Sequence, residues 1–232
     1  MPGRRNFVPS LMPWRKDASS TGVERRYDAV LFDLLTALLD SWTLWNDLAG
    51  GADRGRAWRA AYLRITYRTG AYRPYEALVA EAAETVGLPP RLADELDARY
   101  AELQPWDDVP EALSNLAAAG LRLGVVTNCS ERLGRVAAKR TGARFDVLVT
   151  AERAGVYKPD PRAYRLALNE LDVAPERCLF VAGSAYDLVG TAAVGLPTYW
   201  HDRIGMTPPE GAPAPLAHHA TLRPLLEVVG VG

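Results

Sequence analysis

An aspartate at the end of a predicted strand is the strongest chemical signal in this sequence. Asp33 directly follows the apolar run Ala29-Val30-Leu31-Phe32, and the apolar residue Leu35 stands two positions after it. A carboxylate at the carboxyl end of a buried strand lies where open α/β sheets bind their ligands. The position therefore predicts that Asp33 is a nucleophile.

Three further polar groups also follow predicted strands or lie in the loops between them. Thr127-Asn128 comes after the second predicted strand, and Asp187 comes after the fourth. Lys158 lies in a loop that contains two prolines, Pro159 and Pro161. Because the carboxyl ends of parallel strands meet at one edge of a sheet, we expect these groups and Asp33 to converge.

The alternation of strands with helices of about a dozen residues predicts a doubly wound parallel sheet. The predicted strands are Asp28 to Phe32, Leu121 to Val126, Val147 to Val149, Cys178 to Val181 and Pro197 to Trp200. The stretch from Ser41 to Tyr100 is helical in pattern, and its turn signals divide it into about four or five helices. The expected organisation is a mobile tail at 1–26, an α/β core at 27–41 and 105–232, and a helical cap at 42–104.

The composition limits the classes of function. With 48% hydrophobic residues, the 232 residues suit one α/β domain with an insertion or two small domains. A net charge of -1 gives no general attraction for nucleic acid or anionic lipid. Residues 1–26 contain no apolar run long enough for a signal peptide or a membrane span. We therefore expect a small-molecule substrate, with neither a nucleic-acid nor a membrane partner.

The two cysteines carry a prediction about location. Cys129 and Cys178 each lie inside an apolar stretch, which predicts that both are small core residues. A disulfide framework is disfavoured by so few cysteines, and a reducing cytoplasm is the expected compartment.

The order and spacing of the four polar groups resemble those of the haloacid dehalogenase superfamily. The resemblance runs from Tyr27 to the C-terminus, with the helical insertion as the cap. It includes the segments Tyr157-Lys158-Pro159-Asp160-Pro161-Arg162-Ala163-Tyr164 and Thr198-Tyr199-Trp200-His201-Asp202-Arg203. It implies a haloacid dehalogenase-like α/β core with a cap inserted after the first strand. The resemblance also bears on assembly, because members of this family that have a cap are frequently dimers. Formation of a homodimer and binding of a partner protein are therefore both open hypotheses.

Two positions separate the chain from the phosphatases of that superfamily. Those enzymes protonate the departing alkoxide with an aspartate two residues after the nucleophile, where this chain has Leu35. They also bind Mg²⁺ with acidic residues after the fourth strand, where this chain has Ala182-Gly183 and keeps only Asp187. Because losing the general acid alone removes a factor of about 10²–10⁴ in rate, phosphate-ester hydrolysis is disfavoured.

The 2-haloacid dehalogenase branch is the closer resemblance, because its chemistry needs neither feature. Halide is a weak base and leaves without a proton, and the aspartate forms an ester that water then hydrolyses. The resemblance implies Asp33 as the nucleophile and Lys158 as the cation that keeps it ionised, with no cofactor and no metal.

The resemblance also implies roles for the remaining site residues. Thr127 and Asn128 would hydrogen-bond the carboxylates of enzyme and substrate. Asp187 would orient Lys158 and, together with Ser184, the hydrolytic water. The expected substrate and leaving-group site consists of Arg59 from the cap as the anion anchor, beside Leu35 and Thr36, with Tyr164 supporting the lysine loop.

Several residues depart from the dehalogenase pattern. This chain has Thr36-Ala37 where the family has Gly-Thr, so the hydroxyl that faces the nucleophile is missing or displaced by one position. Ala182 and Ser184 stand where the family has a serine and an asparagine that position the water. A second hypothesis is therefore a non-hydrolytic biosynthetic enzyme that expels halide or sulfate by cyclisation or elimination. A third is a catalytically silent member that serves as a binding partner.

Structural roles compete with each of these assignments. Asp33 and Asp187 are also suited to capping helices, and Lys158 to a solvated loop. Their joint occurrence on loops that the topology brings together favours the catalytic interpretation. Aromatic residues in the cap are expected in its core or around a dry pocket.

Three other features are weaker candidates. His201 is predicted to lie at the pocket rim. His218-His219 has no third ligand within reach, which disfavours a metal site there. In the N-terminal tail, partner binding is a hypothesis for Phe7, Leu11 and Trp14.

Overall fold

A parallel six-stranded sheet with helices on both faces forms the centre of the protein. The computed structural model describes residues 25–231. The sheet has the strand order β3-β2-β1-β4-β5-β6, and every neighbouring pair is parallel. Its strands are β1 (Ala29–Phe32), β2 (Arg122–Thr127), β3 (Val147–Thr150), β4 (Cys178–Ala182), β5 (Thr198–His201) and β6 (Ala217–His219). The predicted doubly wound α/β fold is confirmed.

Strand β1 lies between β2 and β4, and all four of its residues are fully buried. Because helices cover both faces of the sheet, an uninterrupted apolar run fits this strand better than an alternating one. The chain builds β2 and β3 on one side of β1 and then crosses to build β4 on the other side. The topological switch point therefore lies between β1 and β4, the two strands that Asp33 and Asp187 follow.

The helical insertion after β1 contains four α-helices and one short 3₁₀ turn, Tyr100–Glu102. The α-helices are α1 (Ser41–Ala49), α2 (Ala52–Thr69), α3 (Tyr75–Thr85) and α4 (Leu92–Ala98). Aromatic rings join the first three: Trp45 lies 4.5 Å from Trp58 and 5.8 Å from Tyr62, and Tyr62 lies 5.5 Å from Tyr75, measured between ring centroids. This aromatic core makes the inserted helices one packed unit.

Tyrosine hydroxyls connect the inserted helices to the rest of the protein. Tyr62 on α2 donates to the carbonyl oxygen of Asn128 at 2.9 Å, and Tyr157 donates to the carbonyl oxygen of Arg73 at 2.7 Å. On the sheet side, the first bond involves Asn128, which follows β2, and the second involves Tyr157, which precedes Lys158. The helices are thereby held over the carboxyl edge of the sheet.

The remaining helices surround the sheet. They are α5 (Val109–Ala118), α6 (Glu131–Arg140), α7 (Ala151–Ala154), α8 (Pro161–Leu171), α9 (Asp187–Ala192) and α10 (Leu225–Val228). Within residues 25–231, no helix has the length and apolar character needed to cross a membrane. Cys129 and Cys178 are both buried and free, as expected of core residues.

The C-terminal edge of the sheet differs from the prediction. The strand at Pro197 to Trp200 is not the last one, because β6 adds a further strand at the sheet edge. This three-residue strand contains the exposed residues His218 and His219, so it has no apolar pattern that a sequence could reveal. At the other end of the chain, the predicted tail at 1–26, including Phe7, Leu11 and Trp14, lies outside the described residues except for Arg25 and Arg26.

Candidate active site

Asp33 begins a tight helical turn that binds the aspartate's own carboxylate. This turn, Leu34–Leu38, is a single π-helical turn, which we call the nucleophile turn. Oδ2 of Asp33 accepts hydrogen bonds from the Thr36 amide at 2.9 Å, from the Ala37 amide at 3.3 Å and from the Thr36 hydroxyl. The hydroxyl expected beside Asp33 is thus present and comes from position 36, displaced by one residue from the pattern that the resemblance implies.

Lys158 supplies the positive charge of the site. Its Nζ lies 2.8 Å from Oδ1 of Asp33 and 3.0 Å from Oδ1 of Asp187, and its side chain is 6% exposed. The backbone of Lys158 is fixed from both sides by the Asn128 side chain, which accepts from the Lys158 amide at 2.7 Å and donates to the Lys158 carbonyl at 3.0 Å. The alternative of a solvated lysine is therefore wrong.

Burial and the shared ammonium group set the protonation of the two carboxyl groups. Burial by itself would raise the pKa of Asp33, but the Lys158 charge and the hydrogen bonds from Lys158 and Thr36 hold that pKa below its ordinary value. Burial raises the pKa of Asp187, and the nearby Asp33 charge adds to this effect. Burial lowers the pKa of Lys158 less than the two carboxylates raise it, so that pKa lies above its ordinary value. Asp33 is the carboxylate that stays ionised most readily.

Tyr164 on α8 holds the second carboxylate. Its hydroxyl donates to Oδ1 of Asp187 at 2.7 Å, and the tyrosine is fully buried. The sequence predicts that this residue supports the lysine loop, and its bond is to the ion-pair partner of Lys158. Tyr164 lies against Gly190 of α9, where a Cβ atom would collide with the tyrosine ring, so the close approach of α8 and α9 requires glycine at that position.

Arg59 points into the site from the inserted helix α2. Its guanidinium carbon lies 4.3 Å from the Trp42 ring centre and 5.3 Å from that of Trp45, which are cation-π distances. Its Nη1 donates to the Ser41 hydroxyl at 2.7 Å. Burial lowers the pKa of Arg59 and the Asp33 charge opposes this, and a guanidinium remains charged at neutral pH. A buried cation from the inserted helices thus lines the same cavity as Asp33.

These groups enclose a cavity of about 50 Å³. Its wall is largely aromatic and apolar, with the charged groups at the base and on one side; it is formed by Asp33, Leu35, Thr36, Trp42, Trp45, Arg59, Tyr62, Leu63, Tyr67, Tyr75, Asn128, Lys158, Pro159, Ser184, Tyr186 and Asp187. Tyr67 and Tyr186 stand in edge-to-face contact, 5.2 Å apart between ring centroids. The Tyr67 hydroxyl donates to the Tyr186 carbonyl at 3.3 Å. A small anion in this cavity would meet the two cations Arg59 and Lys158 beside aromatic and apolar side chains.

Other residues predicted for the site have different surroundings from those expected. Thr127 does not line the cavity, and its hydroxyl lies 3.8 Å from the Cys129 sulfur. The side-chain amide group of Asn128 forms its hydrogen bonds with the backbone of Lys158. Ser184 lines the cavity, and its hydroxyl accepts a hydrogen bond from the Tyr186 amide at 3.3 Å.

The placement of His201 at the pocket rim is wrong. This residue is fully buried, and its Nδ1 lies 2.9 Å from the carbonyl oxygen of Ala37, behind the nucleophile turn. The error arises because His201 ends the apolar strand β5 much as Asp33 follows β1, and strand order alone does not say which side chain faces the ligand.

Gly183 occupies the position where a phosphatase has a metal-binding aspartate. A Cβ atom on Gly183 would overlap the Ala37 amide and the Thr36 carbonyl carbon and hydroxyl. Residues that would complete a Mg²⁺ site therefore do not fit beside this nucleophile turn. Within residues 25–231, no group of three or more histidine, cysteine or acidic side chains is arranged to hold a metal.

Comparison with known proteins identifies the family that has this arrangement. The family model of haloacid dehalogenase-like hydrolases matches residues 27–195. The chain belongs to the haloacid dehalogenase-like hydrolases. The predicted resemblance to this superfamily is confirmed.

Several relatives of this hydrolase are named as dehalogenases. It is 30% identical over 219 residues to the (S)-2-haloacid dehalogenase of Pseudomonas sp. (strain YL), covering 86% of this chain and 93% of the relative. It is 32% identical over 206 residues to (S)-2-haloacid dehalogenase 1 of Pseudomonas sp. (strain CBS-3), covering 82% and 90%. The structure of the L-2-haloacid dehalogenase from Xanthobacter autotrophicus superimposes with a TM-score of 0.78 at 23% identity, over 88% of this hydrolase and 98% of that chain, which establishes the shared fold.

Proposed function

We propose that this hydrolase is a metal-independent 2-haloacid dehalogenase in which Asp33 displaces halide from a small carboxylate-bearing substrate. The observation that carries the proposal is the ion pair of 2.8 Å between Lys158 and Asp33, which keeps a buried carboxylate ionised at the base of a cavity that also contains Arg59. The similarity to relatives named (S)-2-haloacid dehalogenase supports it.

The two oxygens of Asp33 are suited to different tasks. Oδ2 accepts three hydrogen bonds from the nucleophile turn, whereas the single hydrogen bond to Oδ1 comes from Lys158. We assign Oδ1 as the attacking oxygen, which forms a bond to the carbon that bears the halogen as the carbon-halogen bond breaks. Arg59 receives the halide, and its charge also attracts the substrate carboxylate.

Hydrolysis of the resulting ester completes the reaction. Water adds to the carboxyl carbon of Asp33, and negative charge forms on Oδ2, where the Thr36 and Ala37 amides already donate. Asp187 accepts the proton of the water, because burial raises the pKa of this carboxyl group and makes it a stronger base than an exposed aspartate. As the intermediate collapses, the bond between the Asp33 carboxyl carbon and the substrate oxygen breaks, and that oxygen takes back the proton that Asp187 accepted from the water. The 2-hydroxy acid then leaves, and the Asp33 carboxyl group loses its remaining proton to solvent and is ionised again.

The size of the cavity limits the substrate. Roughly 10–15 Å³ of such space holds one water molecule, so a cavity of about 50 Å³ has room for a few atoms beyond those that touch Asp33 and Arg59. Two- and three-carbon 2-haloacids match this volume. The free, buried Cys129 and Cys178 support action in a reducing cytoplasm.

Oxygen labelling tests the proposal. With enzyme in excess over 2-chloropropionate in ¹⁸O-water, one turnover releases chloride and leaves ¹⁸O in the Asp33 side chain, which mass spectrometry of the Asp33 peptide detects. Asp33→Asn should release no chloride above background. Asp53→Asn, which changes an exposed carboxylate on α2, serves as the matched control and should behave like the wild type. Absence of both chloride and label in the wild-type protein would contradict the proposal.

One observation favours a second candidate function. Ala182 brings no hydroxyl to the end of β4, and the Ser184 hydroxyl already accepts a hydrogen bond from the Tyr186 amide. A weak water site suits an enzyme that expels halide or sulfate by cyclisation or elimination. The same labelling experiment separates the two functions, because this second one releases the leaving group without placing ¹⁸O in Asp33. Release of a leaving group in either form would also contradict a catalytically silent role.

A further inference from the structure

A chain of hydrogen bonds connects Arg59 to the nucleophile through Ser41. Ser41, the first residue of α1, accepts from Nη1 of Arg59 at 2.7 Å and donates to the carbonyl oxygen of Leu35. That carbonyl belongs to the same peptide group as the Thr36 N–H, which donates to Oδ2 of Asp33 at 2.9 Å. Ser41 is 2% exposed, so water does not compete for its hydroxyl.

A second chain reaches the same oxygen through the next peptide group of the turn. Nε1 of Trp106 donates to the carbonyl oxygen of Thr36 at 3.0 Å. This carbonyl shares a peptide group with the Ala37 N–H, which donates to Oδ2 of Asp33 at 3.3 Å. Trp106 also donates its own amide to the Leu38 carbonyl at 3.1 Å, which fixes the end of the turn.

We propose that Ser41 and Trp106 are positioning residues that hold two peptide N–H groups against Oδ2 of Asp33, and that Ser41 also ties Arg59 to the nucleophile turn. Hydrogen bonds in series polarise one another, and the effect is larger in a buried site than in water. A hydrogen bond to the carbonyl oxygen of a peptide group therefore strengthens the hydrogen bond that the N–H of the same peptide group donates to Oδ2. The inference rests on the proposed function, in which Oδ2 becomes the carbonyl oxygen of the ester.

The two chains affect different half-reactions. When the ester forms, Asp33 loses its charge, and donors at Oδ2 give little advantage. When water attacks the ester, negative charge returns to Oδ2 and these donors stabilise the transition state. Loss of the Trp106 bond should therefore slow hydrolysis alone, whereas loss of the Ser41 hydroxyl should slow hydrolysis and also ester formation, since Arg59 loses a hydrogen-bond partner.

Rapid-quench mass spectrometry of the intact enzyme with 2-chloropropionate resolves the two steps. In Trp106→Phe we expect the alkylated enzyme to accumulate because its hydrolysis is about fivefold slower, the effect of one ordinary hydrogen bond. The kcat and KM should fall together, with kcat/KM unchanged. In Ser41→Ala, kcat/KM should fall as well, and Ser41→Thr, which restores a hydroxyl, should recover most of the loss.

Two controls distinguish positioning from general destabilisation. Thr43→Ala removes an exposed hydroxyl two positions further along α1 and should leave both steps unchanged. Thermal unfolding of each variant identifies those that are folded at the assay temperature. The Trp106 and Ser41 substitutions test the two series of hydrogen bonds separately. Ester lifetimes equal to the wild-type value in folded Trp106→Phe and Ser41→Ala would overturn this inference and leave the proposed function intact. A wild-type protein that forms no Asp33 ester would overturn the proposed function, and this inference with it.

Discussion

The Lys158 ammonium nitrogen lies 2.8 Å from Oδ1 of Asp33, although the two residues are 125 positions apart in the sequence. Both side chains are less than 10% exposed, at 6% and 9%, so the pair is shielded from solvent and salt. Asp187 shares the same ammonium group. Lys158 is therefore the cation that the two buried carboxylates share.

Replacing this lysine should abolish most of the activity. In Lys158→Met, two buried carboxylates face each other without a cation, so the pKa of Asp33 rises and the ionised nucleophile is depleted. An unpaired buried charge carries a penalty of about 3–5 kcal/mol, which protonation of Asp33 relieves. The ionised fraction of Asp33, and with it kcat/KM for chloride release, should therefore fall by at least about 10²-fold. Lys139→Met, which changes a lysine on α6 away from the cavity, is the control. Similar kcat/KM values for the two variants would contradict this role for Lys158.

Arginine at position 59 should not be replaceable by lysine. The guanidinium stacks on Trp42 and donates to Ser41 at the same time, which a compact ammonium group cannot do. We expect Arg59→Lys to lower kcat/KM by about 10- to 100-fold, the range for lost hydrogen bonds to a charged group. Arg64→Lys, on the exposed side of α2, should have no effect on the same chloride-release assay. Full activity in Arg59→Lys would show that only charge is required.

Removing the Tyr164 hydroxyl should shift the pH dependence of hydrolysis. That hydroxyl donates to the Asp187 carboxylate, so Tyr164→Phe withdraws a bond that favours the ionised form and raises the pKa of Asp187 further. Asp187 accepts a proton only when ionised, so the acid limb of the kcat profile should move to higher pH. Tyr27→Phe is a matched control, because the buried Tyr27 hydroxyl has no hydrogen-bond partner among the described residues. Superimposable profiles for Tyr164→Phe and the wild type would exclude Asp187 as the base.

Adding a side chain at Gly183 should destabilise the protein and leave it without phosphatase activity. The new Cβ atom would collide with the backbone of the nucleophile turn, and overpacking of this kind costs about 1–3 kcal/mol. Gly183→Ala should lower the free energy of unfolding in urea by at least that amount and reduce chloride release. Gly183→Asp should gain no Mg²⁺-dependent hydrolysis of p-nitrophenyl phosphate.

A glycine in open space provides the control for this effect. Gly142 has a φ of 71°, and apart from its own chain neighbours no atom of residues 25–231 lies within 4 Å of the position that an added Cβ would take. Gly142→Ala therefore tests left-handed strain alone, at about 1–2 kcal/mol. Activity should be retained in that variant. If Gly183→Ala were as stable and as active as Gly142→Ala, the nucleophile turn would have room for a side chain at position 183.

His201 should make the stability of the protein depend on pH. Burial, together with the nearby Arg203 charge, lowers the pKa of His201 to about 4, whereas the unfolded chain has the ordinary value of 6.5. Between these values the unfolded state binds more protons than the folded state, so the contribution of His201 to stability is constant above pH 6.5 and falls as the pH drops toward 4. The slope within this window is at most about 1.4 kcal/mol per pH unit.

Urea unfolding at several pH values measures this contribution. His201→Asn keeps a donor near the Ala37 carbonyl but cannot titrate, so its stability should decline less steeply than that of the wild type between pH 6.5 and 4. Parallel curves for His201→Asn and the wild type would mean that His201 protonates freely in the folded protein.

The sequence alone was sufficient to predict five of the six strands of the sheet and their parallel arrangement. An apolar run of four residues before Asp33 and similar runs before Thr127-Asn128 and Asp187 predicted strands, because buried parallel strands favour uninterrupted apolar residues. Their order along the chain then predicted which carboxyl ends meet. The short edge strand β6 was not predictable, since it has exposed histidines and pairs with a single neighbour.

What the sequence determined by itself is the fold, the family, and the set of Asp33, Lys158 and Arg59 without a second acid at position 35 or 183. What only the tertiary structure decided is how those groups are held. Nothing in the spacing of Ser41 and Trp106 indicates that both donate to the nucleophile turn, and nothing in His201 indicates a position behind it. Strand and helix patterns arise from local periodicity, whereas these contacts join residues that only packing brings within hydrogen-bonding distance.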